Sequence, residues 1–171
     1  MTTATDLLVD AFERVRQTSS SAGRGLDQRT LEARLDPEAN TIAWLLWHLA
    51  RSQDAQVSGL TGEETLWLAD GWSARFAVEL PDDSTGYANT TDDVARVNGV
   101  SSELLLDYIG AVSDRSTAYV STLSDADLDE VIDQRFTPPV TRSIRLVSVI
   151  SDALQHAGQA AFIRGVLERT H

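Results

Sequence analysis

Trp44-Leu45-Leu46-Trp47-His48-Leu49-Ala50-Arg51 is a strongly apolar stretch that nevertheless carries a histidine. It lies inside a segment from Thr41 to Leu60 that reads as one long helix, with Asn40 as N-cap and Gly62 just past its end. Three further segments have the same helical spacing of apolar residues. Thr5 to Ser20 carries Leu7, Leu8, Ala11, Phe12 and Val15 and runs into Ser19-Ser20-Ser21-Ala22-Gly23. Ser101 to Leu123 carries Leu104, Leu105, Tyr108, Val112, Tyr119 and Val120. Ser143 to Glu168 carries a stripe of Val149, Ala153, His156, Ala160, Ile163 and Leu167.

Between these helices the signals are shorter. A short helix is expected over Asp27 to Arg34, closed by Asp36-Pro37. Another is expected over Asp125 to Val131, capped by Ser124. The Pro138-Pro139 pair keeps the middle of Phe136 to Thr141 out of helix. Thr65 to Val97 reads as a long irregular excursion with short helical pieces, and connections of that length are often functional or mobile. Four long helices with little strand signal and a long connection between helices 2 and 3 predict an all-α, four-helix-bundle domain covering residues 1–171.

Composition narrows the function. The 171 residues suffice for one domain with a full core, and 42% hydrophobic content is ordinary for a globular protein. The net charge of -12 argues against nucleic acid, whose binding needs clustered positive charge. No apolar run is long enough to span a bilayer, so no membrane partner is expected. Met1 to Asp10 lacks a secretory pattern. There is no cysteine, so thiol chemistry here would need a thiol from outside. These absences favour the cytoplasm. Every basic residue is arginine, and with abundant Ala, Val, Asp and Thr this suggests a GC-rich genome.

The second internal histidine lies in Ser151-Asp152-Ala153-Leu154-Gln155-His156-Ala157-Gly158-Gln159. Asp152 precedes His156 by one helical turn, so the two side chains share a side. Bundles build metal sites from side chains on facing helices. His48 on the second helix, with Asp152 and His156 on the fourth, fit that plan and predict a divalent metal site. Zinc suits imidazole nitrogen and carboxylate oxygen and leaves one position open; nickel, iron or manganese suit the same donors. A lone buried histidine is more often a satisfied core residue, and Asp-x-x-x-His pairs on helices are common. Gln159 is placed to bond a ligand or His156; Arg51, Arg142 and Arg145 are candidates for holding a carboxylate of a thiol or substrate. Asp54, Trp44 and Trp47 read as supporting or core residues, and the terminal His171 as a disordered end outside the site.

Trp44 to Asp54 resembles the second-helix motif of the DinB-like superfamily, and Asp152 to Ala160 resembles its fourth-helix motif. The likeness is greatest to the mycothiol-dependent branch, which includes maleylpyruvate isomerase and related thiol S-transferases. The resemblance implies a bundle with a metal between helices, His48 and His156 as ligands, and a low-molecular-weight thiol, mycothiol in that branch, as cosubstrate. Asp152 departs from the family, where many members have His and the mycothiol-dependent branch has Glu. Being one methylene shorter than Glu, it reaches the metal only if the helix sits closer, or else acts through water.

The expected chemistry is a thiol-dependent S-transferase or isomerase in which the metal activates the thiol towards an electrophilic substrate. One alternative is a non-enzymatic, stress-related binding protein with a vestigial metal site. Another is a metal-dependent hydrolase, weakened by the lack of a separate general base near His156. The resemblance also implies a homodimer, which light scattering would check.

Overall fold

The computed structural model describes residues 1–170. Its four long helices are α1 (Ala4–Gly23), α3 (Ile42–Thr61), α7 (Ser102–Ser121) and α9 (Arg142–Thr170). Short helices α2 (Gln28–Glu32), α4 (Leu66–Ala69), α5 (Trp72–Phe76), α6 (Thr91–Ala95) and α8 (Asp125–Asp129) lie in the connections. The expectation for His171 falls outside the described residues. The all-α bundle expected from the sequence is the fold observed.

The helices do not pack in chain order. α1 and α3 each lie against α7 and α9, so α1 and α3 sit diagonally across the bundle. Thr41 through Arg51 are all buried, which explains why the first turns of α3 are apolar on every side. On α9 the inward stripe includes Ala153, Ala157 and Ala160, each at most 1% exposed, and such small residues let that helix approach its neighbours closely.

Several ends differ from the sequence reading. The N-cap of α3 is Thr41, not Asn40: the Thr41 hydroxyl accepts a hydrogen bond from the Trp44 N–H at 3.0 Å. The segment expected to be helical as far as Val131 stops at Asp129. Val131–Asp133 (β1) instead pairs antiparallel with Val140–Thr141 (β2), a two-stranded ribbon that leads directly into α9. The Pro-Pro pair sits in the loop of this ribbon, where its missing N–H groups cost nothing.

The long connection between α3 and α7 carries α4, α5 and α6 and closes over α3 with aromatic side chains. Trp67 meets Trp47 at 6.2 Å between ring centroids, Phe76 at 5.1 Å and Tyr108 at 5.5 Å. Beneath this cluster Asp54 is buried. Its carboxylate accepts from the backbone N–H groups of Leu66 and Trp67 at 3.0 and 2.9 Å, thereby capping α4. It also accepts from the Tyr108 hydroxyl at 2.8 Å. Burial, and secondarily the Asp54 charge, push the Tyr108 hydroxyl well above its ordinary pKa, so it remains a donor.

Candidate metal centre

His48 projects from the buried face of α3 towards α9, one helical turn after Trp44. The Trp44 ring stacks on the imidazole at 4.6 Å with an interplanar angle of 13° and covers one face of it. The Nδ1 atom faces the carbonyl oxygen of Thr85 at 2.5 Å. A carbonyl only accepts, so Nδ1 carries the proton and Nε2 presents a lone pair. His156 is held in the same sense: its Nδ1 faces the Gln159 amide oxygen at 3.3 Å.

The two Nε2 atoms therefore point at each other, 3.1 Å apart. Two lone pairs at that distance repel unless a cation or proton lies between them. Two imidazole nitrogens on one tetrahedral zinc would be separated by about 3.3 Å, from bond lengths of about 2.0–2.1 Å. Asp152 Oδ1 lies 3.5 Å from His156 Nε2. One ligand atom from each of His48, Asp152 and His156 lies within 4.8 Å of the other two. These three residues fit a divalent metal by donor type, tautomer and spacing. Hydrogen bonds from the far side of both rings are the usual way a protein orients metal-ligating histidines.

Electrostatics separates the two rings. Burial lowers the pKa of His48, and the bond to Asp152 raises that of His156. The His156 bond in turn holds the Asp152 carboxyl below its ordinary value. As pH rises, His48 becomes neutral first and His156 last, while Asp152 is already ionised. Metal must displace any proton from the ligand nitrogens, so affinity is expected to climb between about pH 5 and 8 and then level off, with His156 setting the upper end. Equilibrium dialysis of zinc across that range checks this; an affinity independent of pH would exclude imidazole ligands.

The remaining residues singled out from the sequence fall in different places. Gln159 touches His156. Arg51 does not face the metal centre. It is buried, lies over the Trp67 ring at 4.6 Å, and donates to the carbonyl oxygens of Ser84 at 3.1 Å and Asp82 at 2.9 Å. By gripping the chain just before Thr85, it positions the carbonyl that orients His48. Arg142 lies at the ribbon, where it bonds the Asp127 carbonyl, the Tyr119 hydroxyl and Glu130. Arg145 lines a 370 Å³ cavity together with His48 and Asp152.

Thr85 and Gly86 were not among the residues picked from sequence. Gly86 has φ +93°, a conformation that favours glycine. A Cβ there would lie 3.0 Å from His48 Cγ, closer still to Nδ1, and 3.2 Å from Trp44 Cζ2. The signal was present in Asp82-Asp83-Ser84-Thr85-Gly86, a turn-forming run, but nothing in it tied the turn to His48. Gly86→Ala is expected to displace the His48 ring and weaken zinc binding at least about tenfold, with helix content unchanged by circular dichroism. Unaltered affinity would show that the loop does not position the ring.

The sequence model of the DinB superfamily matches residues 11–160. Among solved structures, the chain is similar to a conserved protein from Enterococcus faecalis, with 33% identity, 96% of each chain covered and a TM-score of 0.89. None of the curated proteins matches the chain. Among the described residues, no helix is long and apolar enough to cross a membrane. A match that begins in α1, runs through both histidine-bearing helices and ends at Ala160 in α9 leaves little of the bundle outside it, and the chain belongs to the DinB superfamily.

Proposed function

We propose that this protein is a metal-dependent, thiol-using S-transferase or isomerase of the mycothiol type. The observation that carries the reading is the pair of Nε2 atoms facing each other at 3.1 Å beside the Asp152 carboxylate, each imidazole held by an acceptor at its far nitrogen. His48, Asp152 and His156 would hold the metal, with zinc favoured by the donor set and nickel an acceptable substitute. A bound divalent ion with an open position would favour the thiolate form of a small external thiol. The adjoining cavity of 370 Å³ is of a size that suits a small ligand.

The chain's own residues orient and shield. Thr85 and Gln159 fix the two imidazole tautomers, and Trp44 covers one face of His48. Asp152 would supply negative charge to offset that of a bound divalent ion. In the transfer, the thiol gives up its proton to solvent, its sulfur forms a bond to the electrophilic carbon, and the leaving group departs with the bonding pair. Where the electrophile is an unsaturated acid, addition and later elimination of the thiol exchange its geometry with no net consumption. The protein lacks cysteine, so the sulfur nucleophile comes from outside.

The test is conjugate formation between low-molecular-weight thiols, mycothiol included, and a panel of electrophiles, with zinc-loaded and zinc-stripped protein. Turnover that requires both metal and thiol supports the reading. Ester or amide cleavage without any thiol would replace it with a hydrolase. Full metal occupancy with no turnover on any substrate would favour a binding protein.

A further inference from the structure

The geometry points to Tyr87 as the residue that selects the electrophile, taking a substrate with an aromatic or conjugated planar face and stacking on it beside the His48–His156 pair. The assignment deepens the reading above and rests on it, since it needs a small ligand bound in the cavity next to the two histidines.

Three observations carry it. First, Tyr87 lines the 370 Å³ cavity together with His48 and Asp152. Its chain neighbour Gly86 is pressed against the His48 ring, where an added Cβ would lie 3.0 Å from His48 Cγ. Consecutive Cα atoms are about 3.8 Å apart, so Tyr87 springs from the chain close beside that ring. Second, the Tyr87 ring is 89% exposed, and among the described residues no hydrogen bond or ring contact engages it. A single exposed tyrosine is ordinary on a surface. The backbone beneath this one is not. The Asn89 N–H bonds the Gly86 carbonyl at 3.1 Å, closing a tight turn with Tyr87 and Ala88 at its corners. Ala88 there has φ +59°, a conformation that favours glycine, so the chain accepts strain to hold the turn. Arg51 and the bond between His48 and Thr85 fix the segment that leads into it. The ring is thus presented to the cavity from a held backbone.

Third, the rest of the cavity leaves selection to shape and apolar surface. Its charges are matched: Arg145 lies 3.5 Å from the nearly buried Asp133 carboxylate, and Asp152 lies 3.5 Å from His156. Its other apolar side chains, Ala55 and Val149, are small and aliphatic, so Tyr87 supplies the largest apolar face. An aromatic ring stacks offset on another planar π system, a preference beyond the burial of area alone.

The probes are phenylethanethiol and cyclohexylethanethiol, beside two zinc ligands that are not thiols, phenylacetohydroxamate and cyclohexylacetohydroxamate. Each is titrated calorimetrically into zinc-loaded wild type, Tyr87→Leu and Tyr87→Phe. Within each pair the metal-binding group is the same and the ring is flat or puckered. The cyclohexyl ring is the more apolar, so burial alone would favour it. The wild type should instead bind the phenyl member about fivefold more tightly, as expected for a stacked pair. Tyr87→Leu should abolish this preference and Tyr87→Phe should keep it. Zinc affinity should be equal in all three proteins, because Tyr87 gives the metal no ligand atom. Equal binding of the two rings by the wild type, a preference that survives in Tyr87→Leu, or a loss shared by Tyr87→Phe overturns the assignment. So does a fall in zinc affinity in Tyr87→Leu, which would make Tyr87 a support of His48. The hydroxamates keep the two readings apart. A phenyl preference among them, with no binding of either thiol, overturns the thiol reading and leaves Tyr87 standing. Binding of both thiols without the preference does the reverse, and failure of every probe overturns both.

Discussion

Replacing His156 with alanine is expected to abolish stoichiometric binding of zinc or nickel while leaving the bundle folded. His156 is only partly buried, so its loss removes little core, and Ala153, Ala157 and Ala160 continue to carry the inner face of α9. What disappears is one of two nitrogens on a shared position, together with the link through which Gln159 orients the site. Asp152 and His48 alone would leave a two-donor site, and affinity should fall by orders of magnitude, since each ligand bond supplies a large part of the binding free energy. His48→Ala should behave alike in metal content, but with some cost in stability because His48 is buried beneath Trp44. Elemental mass spectrometry of the dialysed proteins decides the matter. About one equivalent in the wild type and none in either variant is the expected result. Undiminished metal in both variants would exclude this ligand set.

The largest effect on stability is expected from Asp54→Ala. The buried Asp54 carboxylate accepts from Leu66 N–H, Trp67 N–H and the Tyr108 hydroxyl, and lies 3.4 Å from Arg115 Nη1 and 3.7 Å from Arg51 Nη1. Alanine would leave a 2%-exposed guanidinium facing no carboxylate, and strand a buried hydroxyl and two N–H groups at the start of α4. Removing one partner from a buried charge network costs roughly 3–5 kcal/mol, and for a domain of this size that is a large fraction of the total stability. Urea unfolding should show the extrapolated unfolding free energy falling by an amount of that order, with a lower midpoint. A change below about 1 kcal/mol would mean that water reaches these groups and replaces the carboxylate. Because Arg51 also grips Asp82 and Ser84, the variant should loosen the loop that presents Thr85 to His48, and weaken metal binding as a secondary result.

Asp54 and Arg51 show where sequence reading stops. Their spacing on α3 announces a pair on one helix face, but their partners lie 12 to 61 residues away in the chain. Arg51 was a reasonable candidate for holding a substrate carboxylate, being three residues from His48 in sequence. At 3.6 residues per turn, three positions bring it close to the same face, and only the path of the α3–α7 connection determines that this face meets backbone carbonyls rather than a ligand. Arg145, eleven residues before His156, reaches the cavity because Gln56 on the antiparallel α3 steers its guanidinium there. Val131 is expected at the end of a helix because Asp125 to Val131 has a good N-cap and no breaker, yet it opens the strand Val131–Asp133. Pairing with Val140–Thr141 outweighs so short a helical preference.

By itself, the sequence determined the four long helices, the length of the connection and the three residues, His48, Asp152 and His156, that the fold brings together as a candidate metal centre. These follow from local periodicity and from polar groups set in apolar stripes, both of which are encoded within a few turns of chain. Only the tertiary structure decided that α1 and α3 lie diagonally, that Thr85 and Gly86 close on His48, and which arginine faces the cavity. Those facts depend on contacts between segments distant in the chain, where the direction of a side chain is set by what packs against it and not by its neighbours in sequence.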